Sequence, residues 1–449
     1  MRIEKLYLNE IGPFEKLQLE FPKCGNKEKA EIHIFTGPNG VGKSTILYAL
    51  ASVLSSNDYF NILKRIKDKN SSVCEILFEN NEIIILSSLS DLKSQLIVNS
   101  PLQFIDKNPY LNKYTTIKGD GKANVYTLAC PNYLPYSKDY KFSFAAFAYS
   151  GYRTISSSNL NTIQEMTDNP FNNSLSFTSS YDSAQLFQWL ALTFAKEALS
   201  EKQHNQLKAD KFRGSIDRIQ KAIQKITGLD IKFTLDTEPF GLKLKLITSE
   251  EPLNFDVLPD GLKSIISWIG DLSMRMDLIN WYDNNIDIFE RNFILFLDEI
   301  DIHLHPKWQR KILPAVQELF PNAQIFVSTH SPFVVNSVSD AKVYSFDMVD
   351  NKSILKSVED SKAGYSYEYV VEDIFGVKEL FDLETEDLFK EFYELREKML
   401  DNKNIISADE NKKFIQLANI LASKGTEIRD IIGREIRQLV RITGRDIEL

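Results

Sequence analysis

One run in this chain leaves little freedom for what surrounds it: Gly37-Pro38-Asn39-Gly40-Val41-Gly42-Lys43-Ser44-Thr45. It matches G-x-x-x-x-G-K-[ST] in full. It stands between a short β-rich run, Glu31–Thr36, and an apolar pattern of helical spacing, Thr45–Leu54. Strand, glycine loop and helix in that order make a phosphate cradle. Glycines let backbone N–H groups close around a polyphosphate, and the following helix turns its positive end towards it. Asn39, Gly40, Gly42, Lys43, Ser44 and Thr45 are therefore the expected nucleotide-binding residues. Lys43 would bridge the β- and γ-phosphates, Ser44 would ligate Mg2+, and Thr45 would meet the α-phosphate.

Two more strand ends carry chemistry. Ile294-Leu-Phe-Leu-Asp298-Glu299 is an apolar strand ending in two carboxylates. Buried carboxylates are costly unless they hold a metal or a hydrogen-bonded water. Asp298 is placed to hold the Mg2+ shell and Glu299 to polarise an attacking water. Val327-Ser-Thr-His330-Ser-Pro332 ends a further β-run, and His330 would reach the γ-phosphate from the carboxyl end of the sheet. His303 and His305 invite a zinc reading. With no cysteine or third histidine near them in sequence, a shaped loop after the carboxylate strand is expected instead.

Around these motifs lie 449 residues, 43 % hydrophobic and 26 % charged, which exclude collagenous and wholly disordered chains. No apolar run approaches the ~20 residues of a membrane span, and Arg2, Glu4 and Lys5 break the pattern of a signal peptide. Cys24, Cys74 and Cys130 are too scattered for a metal quartet or a disulfide frame. They read as free thiols of a cytoplasmic protein. A net charge of −9 argues against a surface that is nucleic-acid footprint throughout, while leaving a local basic patch open.

Strands are expected at Arg2–Leu8, Leu17–Phe21, Phe142–Tyr149, Ile231–Leu235, Leu242–Ile247, Phe293–Leu297 and Gln324–Val327. Asp182 would cap a helix reaching Lys202, and a second would run from Lys211 to Ile226 and stop at Gly228. Further helices are expected after Gly261 and over Lys307–Leu319, and the chain after Asp350 reads as mostly helical.

The order of phosphate loop (Gly37–Thr45), carboxylate strand (Leu295–Glu299) and His330 resembles an ABC-type ATPase head of the SMC/RecF-like kind. That resemblance covers about Met1–Asp350. It implies an α/β P-loop fold with ATP and Mg2+ as ligands, a short helical excursion and a C-terminal helical region. The domains it suggests are 1–150 (ATPase lobe with a β-rich subdomain), 151–250 (loop, helical excursion and hairpin), 251–350 (second ATPase lobe) and 351–449 (helical partner-binding region). Lys43 and Asp298 lie more than half the chain apart, wider than in a transporter's nucleotide-binding subunit.

In such heads two subunits sandwich two ATPs, and the signature loop of one meets the γ-phosphate held by the other. Leu258-Pro-Asp260-Gly261-Leu-Lys-Ser264 stands where that loop belongs, with Asp260 and Gly261 as the implied contacts. Pro259 replaces the usual serine, which implies slow hydrolysis more than lost binding. Arg153, in Tyr149-Ser-Gly-Tyr-Arg153, resembles an arginine seen near the nucleotide in these ATPases; a surface ion pair is the plainer reading.

The run Leu297-Asp-Glu-Ile-Asp-Ile-His-Leu-His-Pro-Lys-Trp-Gln309 is similar to bacterial ATPases of anti-phage operons. Septu-type ATPase subunits, with their retron-associated cousins, come first and imply a separate HNH nuclease. The PARIS ATPase subunit comes second and implies a Toprim nuclease released by a phage protein. OLD-family proteins carry Toprim on the same chain, but the residues after His330 lack the alternating strands that such a domain needs. The implied function is a slowly hydrolysing ATP switch that associates head to head and controls a nuclease. The alternative is a RecF-like repair ATPase that clamps DNA directly. At the C-terminus, Arg434, Arg437, Arg441 and Arg445 fall on one helical stripe over an apolar seam from Ile428 to Ile442. The stripe reads as a solvated face or as a docking surface for nucleic acid or an acidic partner.

Overall fold

Apolar and polar residues alternate at the start of the chain. In the computed structural model that alternation becomes a hairpin, β1 (Ile3–Ile11) pairing antiparallel with β2 (Phe14–Glu20) around Gly12-Pro13. The structure describes residues 2–24, 28–54, 65, 72–79, 83–87, 113–117, 123–125, 141–156, 162–177, 183–237, 240–247, 251–361, 363–377, 379–400 and 407–444. β3 (Glu31–Thr36) and α1 (Lys43–Leu54) bracket the glycine loop. Then β4 (Val73–Phe78), β5 (Ile83–Ser87), β6 (Lys113–Ile117) and β7 (Ala123–Val125) extend the hairpin into a sheet of order β2-β1-β4-β5-β6-β7.

From β8 (Ala145–Tyr149) the chain leaves for the helix pair α2 (Ser183–Lys202) and α3 (Gln206–Thr227). The hairpin β9 (Ile231–Thr237)–β10 (Phe240–Leu246) and helix α4 (Asp260–Leu278) follow. It returns at β11 (Phe293–Leu297), then runs through α5 (Pro306–Leu319), β12 (Ala323–Ser328) and the short α6 (Pro332–Val335). A hairpin of β13 (Lys342–Val349) and β14 (Lys352–Asp360) closes the second sheet, of order β14-β13-β3-β12-β11-β8. All its pairings are parallel except β13 with β14.

β11 and β12 are buried along their whole length, as parallel strands covered on both faces must be. Helix α1 fills the space between the two sheets. Ile46, Leu47 and Leu50 share one apolar cluster with Leu6, Leu8 and Ile76 of the first sheet and Ala146, Ile294 and Phe326 of the second. A buried glutamine ties the sheets together: Gln324 accepts from the Ile3 N–H and donates to the Ile3 carbonyl, both at 2.8 Å.

Register decides where the chemistry emerges. Leu297 lies opposite Tyr149 and Val327, and Ser328 opposite Phe35. The loops after β3, β8, β11 and β12 therefore leave from one edge, the carboxyl end where open α/β sheets bind ligands.

Several sequence expectations shift. α3 begins at Gln206, capped by Asn205, rather than at Lys211; its first three residues are exposed, Leu207 included, so apolar periodicity does not mark it. Its end at Gly228, φ +76°, is where the glycine predicts. The strand expected over Phe142–Tyr149 begins at Ala145, with Phe142 making only an isolated bridge to Trp281. The chain after Asp350 is not helical at first. Asp350 and Asn351 both take positive φ, the geometry of a tight hairpin turn, and Lys352–Asp360 returns as β14. Asp182, Cys130 and Arg445 lie outside the described residues.

The chain forms two units, Met1–Val370 and Val371–Leu449, with the short helix α7 (Tyr367–Asp373) crossing that boundary in sequence. In the second unit, α8 (Leu383–Leu400), α9 (Ala408–Lys424) and α10 (Thr426–Thr443) share a seam built from Phe392, Phe414, Leu421, Ile432 and Leu439. α9 opens on a reciprocal cap between Ser407 and Glu410. Arg434, Arg437 and Arg441 are exposed on α10, and Ile442, expected in the seam, is exposed too.

Candidate functional site

Lys43 opens α1 and is almost fully buried, with its Nζ donating to the carbonyls of Gly37 and Pro38 at 2.9 Å each. Burial pushes its pKa down to about 8, against the pull of Asp298, Glu299 and Asp301. The loop needs glycine at residue 42, where φ is +91° and a Cβ would meet the Phe14 ring at 2.6 Å. Asn39 and Gly40 are exposed at the loop tip.

Ser44 Oγ donates to Asp298 Oδ1 at 2.9 Å, and Ser328 Oγ donates to the same oxygen at 2.5 Å. Ser328 Oγ in turn accepts from the Glu299 N–H at 2.8 Å. One carboxylate oxygen thus joins the phosphate loop, the carboxylate strand and the end of β12. Hydroxyls around a buried carboxylate are a hard-oxygen donor set, the kind that suits Mg2+.

Glu299 sits in the left-handed region, φ +47°. Burial first, then Asp298 and Asp301, raise its pKa above the usual carboxylate value. Asp301 accepts from Thr329 Oγ1 at 2.5 Å, which fixes the turn before His330. His330 is half-buried, and burial with the nearby Lys43 charge lowers its pKa. Its neighbour Ser331 donates to Gln309 Oε1 at 2.6 Å, binding the histidine loop to α5.

Arg153 is only 5 % exposed, which corrects the surface-ion-pair reading. Its Nη2 donates to the backbone carbonyls of Asp298 and Glu299 at 3.1 and 3.2 Å, while Nε and Nη1 have no partner. It braces the carboxylate turn from behind β8. Burial pushes its pKa down to about 10, so it remains a cation.

Asp260 and Gly261 lie at the start of α4. Asp260 is exposed beside Lys263, and a Cβ on Gly261 would stand 2.5 Å from the His303 carbonyl. No hydrogen bond or ion pair joins either to Gly37–Thr45 among the described residues. His305 caps α5, its Nδ1 accepting from the Lys307 N–H at 3.2 Å. Among the described residues the one cluster of three or more His, Cys, Asp or Glu ligand atoms is Cys24, Glu31 and His33, and there Glu31 is already held by Arg2 and His33.

Sequence reasoning missed three participants. Ser328 bridges two motifs from the strand end Val327-Ser-Thr, where a polar residue after an apolar run was the available signal. Asp301 hides in the polar turn. Arg65 donates to Thr45 Oγ1 at 3.3 Å and lies over the Tyr48 ring at 4.1 Å; nothing periodic surrounds it in sequence.

The AAA-domain family model described as "AAA domain, putative AbiEii toxin, Type IV TA system" matches residues 135–336, and a second "AAA domain" model matches residues 1–68. Over 416 residues the chain is 23 % identical to the Septu protein PtuA of Bacillus thuringiensis, covering 90 % of each. The chain is also 25 % identical to "Retron Vc95 probable ATPase" of Vibrio cholerae, covering 80 % of this chain and 76 % of that one. Among solved structures, the SmcHead bound to the C-winged helix domain of ScpA aligns with TM-score 0.44 at 14 % identity, over 80 % of this chain and 97 % of that one. The chain's motif order and parallel strand ends form a P-loop α/β fold.

Proposed function

We propose that this chain is the ATP-binding, slowly hydrolysing switch of an anti-phage defence complex, assembling head to head on Mg-ATP and controlling a separate nuclease. The observation that carries the reading is the Asp298 carboxylate shared by Ser44 and Ser328, with Glu299 beside it and Lys43 buried above.

Mg2+, when bound, neutralises phosphate charge and orients the β- and γ-oxygens. Ser44 and Asp298 would hold it. Lys43 would exchange the Gly37 and Pro38 carbonyls for phosphate oxygens, and Thr45 would reach the α-phosphate. Glu299 would take the proton of the attacking water, and its raised pKa suits a base. His330 would donate towards the γ-phosphate. Arg153 holds the Glu299 backbone without reaching past it. Asp260 and Gly261 would act in trans, on nucleotide held by a second copy.

The lobes 1–150 and 251–350 would form the ATP face, 151–250 the excursion and 351–449 the partner-binding region. An HNH nuclease is the favoured partner and a Toprim nuclease the second, with a phage protein as trigger, acting in the cytoplasm. Among the described residues no helix is long and apolar enough to cross a membrane.

The test is mass photometry after coexpression with the neighbouring gene, with and without Mg-ATP, on wild type and Glu299→Gln. Persistent ATP-bound assemblies holding a second protein are expected. A lone chain that dimerises only on added DNA would move the reading to the repair clamp.

A further inference from the structure

Beside the end of β8, within the first unit, lies a cavity of about 220 Å3, bounded also by the segment before α2 and by α4. Two of the buried side chains that line it carry donors with no acceptor. Arg153 uses Nη2 on the carbonyls of Asp298 and Glu299, and its Nε and Nη1 have no partner. Ser267, 1 % exposed on α4, has no partner for its hydroxyl. A buried helical serine can donate to the carbonyl one turn back. Ser273, further along α4, does so to Ile269 at 2.7 Å, and Ser200 of α2 does so to Lys196 at 2.7 Å. Ser267 does not. Burying a donor without an acceptor is costly, and here two residues that leave donors unmet border one cavity.

The charges select the sign of the ligand. Asp271 and Arg275 line the cavity too, but they answer each other: Arg275 Nε donates to Asp271 Oδ2 at 2.7 Å, and Tyr149 Oη donates to the same oxygen at 2.8 Å. Asp168 is exposed, where water and salt screen it, and accepts from Gln185 at 3.3 Å. Arg153 is hydrogen-bonded to carbonyls alone and keeps its charge. What the cavity lacks is therefore an acceptor, and the charge it has to spare is positive. A small oxyanion meets both conditions. The volume lies below the roughly 300–1,000 Å3 of sites for drug-sized ligands, which disfavours a whole nucleotide and suits a single phosphate.

We propose that this cavity binds free orthophosphate, with Arg153 and Ser267 as its donors. Arg153 would then join two sites, holding the Asp298 and Glu299 carbonyls through one nitrogen and the anion through the others. The phosphate comes either from solution or from ATP cleaved beside Glu299; both share this chemistry. Only the second source rests on the ATP reading.

The experiment is isothermal titration calorimetry of orthophosphate into the full chain carrying Lys43→Met, in EDTA at constant ionic strength, so that the phosphate loop lacks its cation. One saturable site is expected. Adding Ser267→Ala should weaken it about 10-fold, as the loss of one hydrogen bond to a charged group implies, while Ser267→Thr should keep it. Arg153→Met should abolish it. No saturable binding, an unchanged Ser267→Ala chain, or a Ser267→Thr chain as weak as Ser267→Ala would overturn the proposal. A chain that never turns ATP over would leave this result untouched, so the two readings fail separately. With Lys43 restored, single-turnover release assigns the source. Phosphate leaving later than ADP, with the lag lost in Ser267→Ala, would point to cleaved ATP, and simultaneous release would point to solution.

Discussion

The carboxyl edge of the central sheet and the three-helix unit at the C-terminus treat charge in opposite ways. At the edge, Lys43, Arg153 and Asp298 are almost fully buried, and desolvation leads the shifts of Lys43, Arg153 and Glu299. In the helical unit, ions sit on the surface in pairs such as Lys398–Glu410 and Lys413–Glu391. Exposed pairs are screened and contribute ~0–1 kcal/mol each, so that unit is held by its apolar seam and its caps. The same residue types are chemistry in one place and solvation in the other. What separates them is the water that the sheet edge excludes.

That contrast breaks first if Glu299→Gln retains ATP turnover. Removing a general base costs about 10^2–10^4-fold, and a phosphate-release assay should show a loss in that range. In the helical unit the equivalent wound is apolar. Phe392→Ala, at a fully buried ring, should cost ~3–5 kcal/mol in the denaturant transition of that unit and leave ATP turnover unchanged.

A subtler probe is the pH profile. Glu299 must be ionised to accept a proton, so turnover is present above its pKa and lost as pH falls through it. Its raised pKa puts that acid limb above the ordinary carboxylate range. Arg153 opposes the rise, so Arg153→Met should move the limb higher still; an unmoved limb would mean that another group sets it. Lys43 gives the opposite sign for stability. Its pKa is depressed to about 8 from 10.5, so holding the charge costs stability below pH 8, and the cost is relieved as pH rises towards 10.5. Lys43→Met should therefore melt higher than wild type near pH 7, with the gain vanishing by about pH 10.5, while turnover is lost. The smallest expected effect is Ser407→Ala, which removes one helix cap from the helical unit and should cost ~1 kcal/mol by chemical unfolding.

Where sequence read well, the cause was local. Gly37–Ser44 is contiguous, Phe293–Leu297 is a single apolar run with the bounds the strand has, and Gly228 stops α3 by its own backbone preference. Where it read poorly, the determinant lay elsewhere in the chain. Ser328 owes its place to Asp298, thirty residues earlier. Arg153 became a brace because β8 runs beside β11, a pairing across more than a hundred residues that no periodicity announces. β14 was lost to a turn signal, Asp350-Asn351, that is plain only once both residues are known to take positive φ.

Glu299 carries a consequence beyond the reaction. A side chain held at φ +47° is a residue that the backbone would exchange for glycine, since left-handed geometry costs roughly 1–2 kcal/mol for L-residues. Selection for thermal endurance alone would therefore drift away from the carboxylate. Variants that survive heat best in such a screen should include silent ones, and their presence would measure how much durability the living protein gives up to keep that carboxylate.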